Sequence, residues 1–137
     1  MSDPVSLALA RLATEEGFRS LPYTDTTGHM TIGYGCNLSV GWSQGLAADV
    51  LGYQLGEVLD AVQSLPWWHP EEPVRGSVIL DLGFNLGVTG LLHFPNMLAA
   101  YAIKDWPTAS AQLLDSDAAR ALPDRYERLA ELLLNGD

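Results

Sequence analysis

The chain reads as an α+β domain, mostly helical, with a small N-terminal β-hairpin lobe joined by a long helix to a helical C-terminal lobe. Three observations lead there. Two short extended runs flank the turn sequence Thr26-Thr27-Gly28. An apolar stripe of helical period then runs from Leu46 to Val62, ahead of Pro66. Beyond the Pro-rich corner at Pro70 and Pro73, apolar residues recur with helical spacing.

The first element is a helix opened by Asp3-Pro4, a capping side chain followed by the imino acid best tolerated in a first turn. Val5, Leu9, Leu12 and Glu16 fall on one face of it, the face that seeks burial, whereas Glu15 falls off that stripe. A carboxyl against apolar surface has a raised pKa, because desolvation disfavours the charged form, and that suits a general acid near neutral pH. Gly17 ends the helix as a left-handed cap would.

In the hairpin, Met30, Ile32 and Tyr34 alternate with His29, Thr31 and Gly33, the period of a half-buried strand. A turn centred near Gly28 places Asp25 and Thr31 roughly opposite each other, so that a carboxylate and a hydroxyl could hold one water. Gly33 and Gly35 let the backbone bend or approach a ligand closely. Two carboxyl groups that flank a glycosidic bond divide the work of hydrolysis: one protonates the leaving oxygen while the other activates or positions water. Glu16, Asp25 and Thr31 are therefore the candidate catalytic residues.

The linking helix runs from about residue 43, capped by Ser43, to about residue 65. Gly45, Gly52 and Gly56 weaken it by about 0.5–1 kcal/mol each relative to Ala. Close packing of neighbours at Gly52 and Gly56 is the favoured reason for them, ahead of softening for lobe motion. Trp67-Trp68 sits where it would anchor the second lobe rather than stack on sugars. Val74, Val78, Ile79, Leu82 and Leu86 make a helix apolar almost all round, the buried centre of that lobe. Asp105-Trp106-Pro107 caps a short helix with Leu113 and Leu114 inside, and the last helix runs from Pro123 to about Leu134. The whole, residues 1–137, is expected to be one domain: a hairpin lobe at about 14–42, the linking helix at about 43–65 and a helical lobe at about 66–137.

These residues carry a resemblance. Glu16, Asp25 and Thr31 at this spacing, followed by Thr-Ile-Gly-Tyr-Gly over residues 31–35, resemble the catalytic signature of the phage-type lysozymes, the glycoside hydrolase family 24 muramidases that include many phage endolysins. Phe84-Asn85-Leu86-Gly87-Val88-Thr89-Gly90 is similar to the end of that family's central helix, Phe94-Pro95-Asn96-Met97-Leu98 to the segment after it, and Pro123-Asp124-Arg125 to its closing helix. The resemblance implies a lysozyme-like fold and cleavage of the β-1,4 bond between N-acetylmuramic acid and N-acetylglucosamine. Glu16 would be the general acid, with Asp25 and Thr31 placing the attacking water. Inversion at the anomeric carbon, the family's usual outcome, implies carboxyl groups farther apart than the ~5 Å of a retaining pair. Arg125 matches an arginine that pairs with the catalytic Glu, and Asn85 a cleft position, read either as a saccharide or peptide contact or as a helix cap. Two departures stand out. Cys36 replaces a common His, and Ala118 and Ala121 replace a Trp and a Gln. Ala118 and Ala121, with the acidic charge of the chain, keep open an alternative reading as a catalytically weak or inactive wall-binding protein.

Composition bounds the rest. At 137 residues, 47% of them hydrophobic, the chain is one globular domain in length. Its single cysteine, Cys36, excludes an internal disulfide. His29, His69 and His93 are scattered, so no metal and no cofactor is expected. The expected partner is peptidoglycan, met by a monomer, without nucleic acid or membrane insertion. The N-terminus shows no secretory signal; the resemblance then implies a protein held in the host cytoplasm until a holin or lysis itself releases it to act on the bacterial cell wall.

The net charge of −10 opposes approach to an anionic wall. Salt screens that repulsion over a Debye length of about 10 Å at 0.1 M. Turnover on cells is therefore predicted to rise as ionic strength goes from very low to physiological, measured as the rate of turbidity loss; a monotonic fall would refute the electrostatic reading.

Overall fold

The structure is a computed structural model and describes residues 3–137. It divides into two compact units, one ending at Ala48 and the other running Asp49–Asp137.

In the first unit, helix α1 spans Pro4–Glu16. Asp3 opens it as expected: one carboxylate oxygen accepts from the amides of Val5 and Ser6 at 2.9 and 3.0 Å, and the other from the Ser6 hydroxyl at 2.6 Å. The far end differs from expectation. Gly17 has φ 70° and ψ 154°, a conformation essentially reserved for glycine, and it sends the chain straight into a strand instead of forming a left-handed cap. The α1 stripe differs too, since Val5 is 75% and Leu9 66% exposed and no residue of the helix is buried. A periodic pattern shows which face could be covered. Among the described residues of this unit the other regular elements are short strands, a 3-10 turn and the start of the helix that begins at Gln44, which offer little to cover it.

Those strands are β1 (Arg19–Thr24), β2 (Met30–Gly33) and β3 (Cys36–Asn37), antiparallel in that order, followed by a 3-10 turn over Leu38–Val40. Thr31 pairs with Tyr23 and Asn37, not with Asp25. Asp25 instead faces His29, whose carbonyl accepts its amide at 2.9 Å, so residues 26–28 form a three-residue loop with Gly28 at φ 86°. Burial along β2 is also the reverse of a simple apolar-in pattern: Thr31 is buried at 3% exposure, while Met30 and Tyr34 are exposed.

Helix α2 (Gln44–Val62) carries the boundary between the units. Ser43 caps it, its hydroxyl accepting from the Leu46 amide at 3.1 Å. Of its stripe only Val58 and Val62 are buried. The second unit continues with α3 (Pro73–Leu92), α4 (Pro95–Ala102), α5 (Trp106–Leu114), α6 (Asp117–Ala121) and α7 (Pro123–Asn135). The α3 span is broken at Gly87, φ 75° and ψ 161°, near the end expected for the central helix. Val62, Val78, Ile79, Leu82, Tyr101, Leu113 and Leu133 are fully buried and join four helices and the start of α3 into one core. Leu114, expected inside, is exposed. Trp67 and Trp68 do anchor this unit: Trp67 meets Tyr101 edge-on at 6.0 Å, and Trp68 packs on Gly76. Arg75 ties the C-terminus down, donating from Nε to the Leu133 carbonyl at 2.7 Å and from Nη2 to the Leu134 carbonyl at 2.8 Å. Those are end-of-helix acceptors of α7 that lack intrahelical donors.

The close packing expected at Gly52 and Gly56 lies elsewhere. A Cβ at either meets nothing within 4 Å, whereas one at Gly83 would collide with Val58 Cγ1 and one at Gly76 would come to 3.0 Å from Trp68 Cη2. Gly83→Ala is predicted to destabilise by about 1–3 kcal/mol through overpacking. Gly52→Ala should stabilise by about 0.5–1 kcal/mol, because an open helical position gains from the change. Urea unfolding of the two variants distinguishes these signs.

Candidate active site

The hairpin unit brings the three expected catalytic residues to one recess. It measures about 350 Å³ and is lined by Glu16, Arg19, Tyr23, Thr24, Asp25, Thr26, Thr31 and Gly35. Glu16 reaches it as the last residue of α1. Gly35 makes room for it: with φ at 77°, a Cβ there would sit 2.7 Å from Glu16 Oε2. Glycine thus serves both the turn and the close approach of the carboxyl. Glu16 is exposed, so the burial expected from the α1 stripe is not present around it.

Asp25 is organised by its own loop. Its Oδ1 accepts from the Thr27 amide at 2.9 Å, the Thr27 hydroxyl at 2.8 Å and the His29 amide at 2.8 Å. Three donors on one oxygen leave Oδ2 without a protein partner among the described residues. These bonds, with the one from the His29 amide foremost and that from the Thr27 hydroxyl next, hold the carboxyl below its ordinary value of 3.8. Thr31, buried on β2, donates its hydroxyl proton to the His29 carbonyl at 2.9 Å. Its oxygen is left as an acceptor.

Arg19, Tyr23 and His29 were not among the sequence candidates. His29 supplies the amide and carbonyl that tie Asp25 and Thr31 together, and its Nδ1 lies 2.7 Å from Thr27 Oγ1. Such main-chain roles leave no trace in residue type. The two remaining expected residues lie in the helical unit. Arg125, in the first turn of α7, donates from Nη2 to Asp81 Oδ1 at 2.6 Å. Asn85 is no helix cap: it sits within α3, and its Oδ1 accepts from the buried Tyr126 hydroxyl at 2.8 Å. A larger hollow in this unit, about 480 Å³, is lined in part by His93, Asn96, Gln112, Asp115 and Arg120, and also by Ala118, one of the two alanine departures. Cys36 is a free thiol on β3, half-buried and opposite Ile32.

An α+β chain in which the end of a helix and a hairpin present two carboxyl groups and a hydroxyl to one recess has the fold and functional groups of a lysozyme-type glycoside hydrolase. A family model described as phage lysozyme matches residues 13–124, and the chain belongs to that family. It is accordingly a glycoside hydrolase of the muramidase kind, with peptidoglycan as its substrate. The matched span contains Glu16, Asp25, Thr31 and Asn85 and ends one residue before Arg125. No curated protein matches the chain.

Because the folded state holds Asp25 ionised, its contribution to the loop is complete above the ordinary value of 3.8 and disappears only as pH falls below that through the lower folded value. The Thr27 and His29 amide resonances, whose protons are donated to Asp25, are predicted to shift together in that acidic window and to stay constant above it in an NMR titration. A joint transition above the ordinary value would contradict the hydrogen-bonded carboxylate.

Proposed function

We propose that the protein is an N-acetylmuramidase that cleaves the β-1,4 bond between N-acetylmuramic acid and N-acetylglucosamine, with Glu16 as general acid and Asp25 with Thr31 as the water site. The observation that carries this reading is the shared recess, in which Asp25 Oδ2 and Thr31 Oγ1 are the acceptors left unused by the hairpin. A water that donates one proton to each has its lone pairs directed away from both. That is the orientation needed for attack on an anomeric carbon. Asp25, kept anionic by its loop, takes the proton as the C–O bond forms. Glu16, above Gly35, gives its proton to the departing glycosidic oxygen. The carboxyl pair then acts in the inverting manner, each with a separate task.

Arg125 and Asn85 are proposed as supporting residues through the helical unit. Arg125 orients Asp81, and Asn85 keeps its amide nitrogen for a glycan or peptide acceptor while its oxygen serves Tyr126. The biological setting that suits this chemistry is host-cell lysis by a monomeric endolysin, made in the host cytoplasm and released to the wall with a holin's help. No single helix among the described residues is long and apolar enough to cross a membrane.

Glu16→Gln keeps shape and removes the acid, so it is predicted to lower reducing-end release from purified peptidoglycan by at least about 100-fold, the lower range of general-acid contributions. Glu15→Gln should be nearly silent. Asp25→Asn should also slow turnover severely, while keeping the oxygen that closes the loop. Mass spectrometry of the products, looking for new reducing muramic acid ends, separates a muramidase from a glucosaminidase. Equal losses from Glu15→Gln and Glu16→Gln would mean that the acid is misassigned, and wall binding without any release would favour the inactive wall-binding alternative.

A further inference from the structure

We propose that Arg19 is a specificity-determining residue that receives a carboxylate of the muramyl substituent at the edge of the recess; this rests on the muramidase reading above. Arg19 lines the same recess as Glu16, Asp25 and Thr31. It is one of two cationic Lys or Arg residues in the chain up to Ala48, the other being Arg11, and the only one on the recess. No carboxylate lies within ion-pair distance of it among the described residues, although Glu16 and Asp25 share its pocket. Arg75, Arg120 and Arg125 are tied to acids, whereas Arg11 and Arg128, like Arg19, have no ion-pair partner among the described residues, and of these three Arg19 alone lines the recess. Arg19 keeps its donors for something that enters.

The guanidinium is also held in place. Its Cζ lies 4.4 Å from the centre of the Tyr23 ring. In a regular strand, residues four apart are about 13 Å apart along the axis, at roughly 3.3 Å per residue. Here β1 is irregular: Arg19 pairs with Gly33 and Tyr23 with Thr31, so the four-residue step on β1 answers a two-residue step on β2. The two extra residues form a bulge, the device that re-aims side chains beside active sites. It shortens the path between Arg19 and Tyr23 and lets the arginine stack on the ring that stands opposite Thr31. A stacked guanidinium retains its in-plane N–H donors, and these match the two oxygens of a carboxylate.

The glycan offers such a group next to the scissile bond. The 3-O-lactyl arm of each muramyl residue ends in a carboxyl that is either free or joined to a stem peptide bearing carboxylates of its own. Chitin-type polymers of N-acetylglucosamine have neither. A cation at this edge would therefore distinguish muramyl from glucosaminyl residues by charge, in a recess whose other ionisable groups are acids.

The test uses four substrates: peptide-bearing glycan strands, strands freed of peptide by an amidase so that the lactyl carboxylates are exposed, and each of these after carbodiimide amidation with ammonia. Wild type is expected to have a KM about fivefold lower on acid strands than on their amidated forms, the scale of a solvent-exposed charge-assisted bond. Arg19→Gln should abolish that preference by raising KM on the acid strands alone, and Arg19→Lys should retain part of it. A preference on peptide-free strands names the lactyl carboxylate as the partner, whereas one confined to peptide-bearing strands names the stem peptide. The proposal is overturned if wild type shows no preference, or if Arg19→Gln lowers kcat while the preference survives. Should wild type cleave none of the strands, the muramidase reading fails separately, and equilibrium binding of the same four strands decides on Arg19 by the same comparison.

Discussion

The hairpin unit depends on the hydrogen bonds gathered by one oxygen of Asp25. They close residues 26–28 into a three-residue loop and set His29 opposite Asp25. The rest of the pairing follows from that register: Thr24 with Met30 and Tyr23 with Thr31. Side chains in a strand alternate between faces, so a slip of one residue would send the Thr31 hydroxyl to the other side of the sheet. The same carboxylate thus shapes the loop and lines the recess. Its loop donors occupy Oδ1 and leave Oδ2 without a partner among the described residues.

The two units are stabilised in different ways. In the first, Thr31 is the only buried residue among those described, and large apolar side chains such as Val5, Leu9 and Phe18 are exposed. Order there comes from caps, the Asp25 loop and glycines at positive φ. The second unit has a continuous apolar core and side chains that knit helix ends to it, Arg75 above all. It also contains Tyr101, whose buried hydroxyl has no partner among the described residues and whose pKa burial pushes up to about 12, with Glu72 and Glu71 adding to the effect. At ordinary pH that hydroxyl is neutral, and Trp67 and Trp106 meet the uncharged ring edge-on while His69 lies tilted beside it.

Local signals in the sequence were legible where one residue type has one strong local use. Asp3, Ser43 and Asp105 cap the helices that they were expected to cap, and Pro123 and Gly136 bracket the last one. Glu16, Asp25 and Thr31 could be named because a catalytic constellation needs those groups, and the structure puts them on a common recess. The register was not legible: the loop centres on Thr27 rather than Gly28, so that Asp25 faces His29 and Thr31 faces Tyr23, and the irregularity of β1 between Arg19 and Tyr23 leaves no periodic signal. Period-two alternation says nothing about a bulge. Glycines were misread for a similar reason: Gly52 and Gly56 look like Gly76 and Gly83 in sequence, and only the neighbours Trp68 and Val58 tell them apart. Helix α6 and strand β3 were missed because runs of five and two residues are too short to show a period.

The acidity of the chain bears differently on the two units. Up to Ala48 there are four acids, Asp3, Glu15, Glu16 and Asp25, against Arg11 and Arg19, so most of the net charge of −10 resides in Asp49–Asp137. Two electrostatic effects of different range follow. Repulsion from an anionic wall is a long-range field generated mainly by the helical unit, and mobile ions weaken it over the Debye length. Recognition at the recess involves the few charges of the hairpin unit at hydrogen-bond distance, where screening is far less complete. An enzyme of this charge can therefore be slow to approach its substrate without being poor at holding it. Glu16 and Asp25, the two carboxyl groups on the recess, are half of the four acids in the chain up to Ala48.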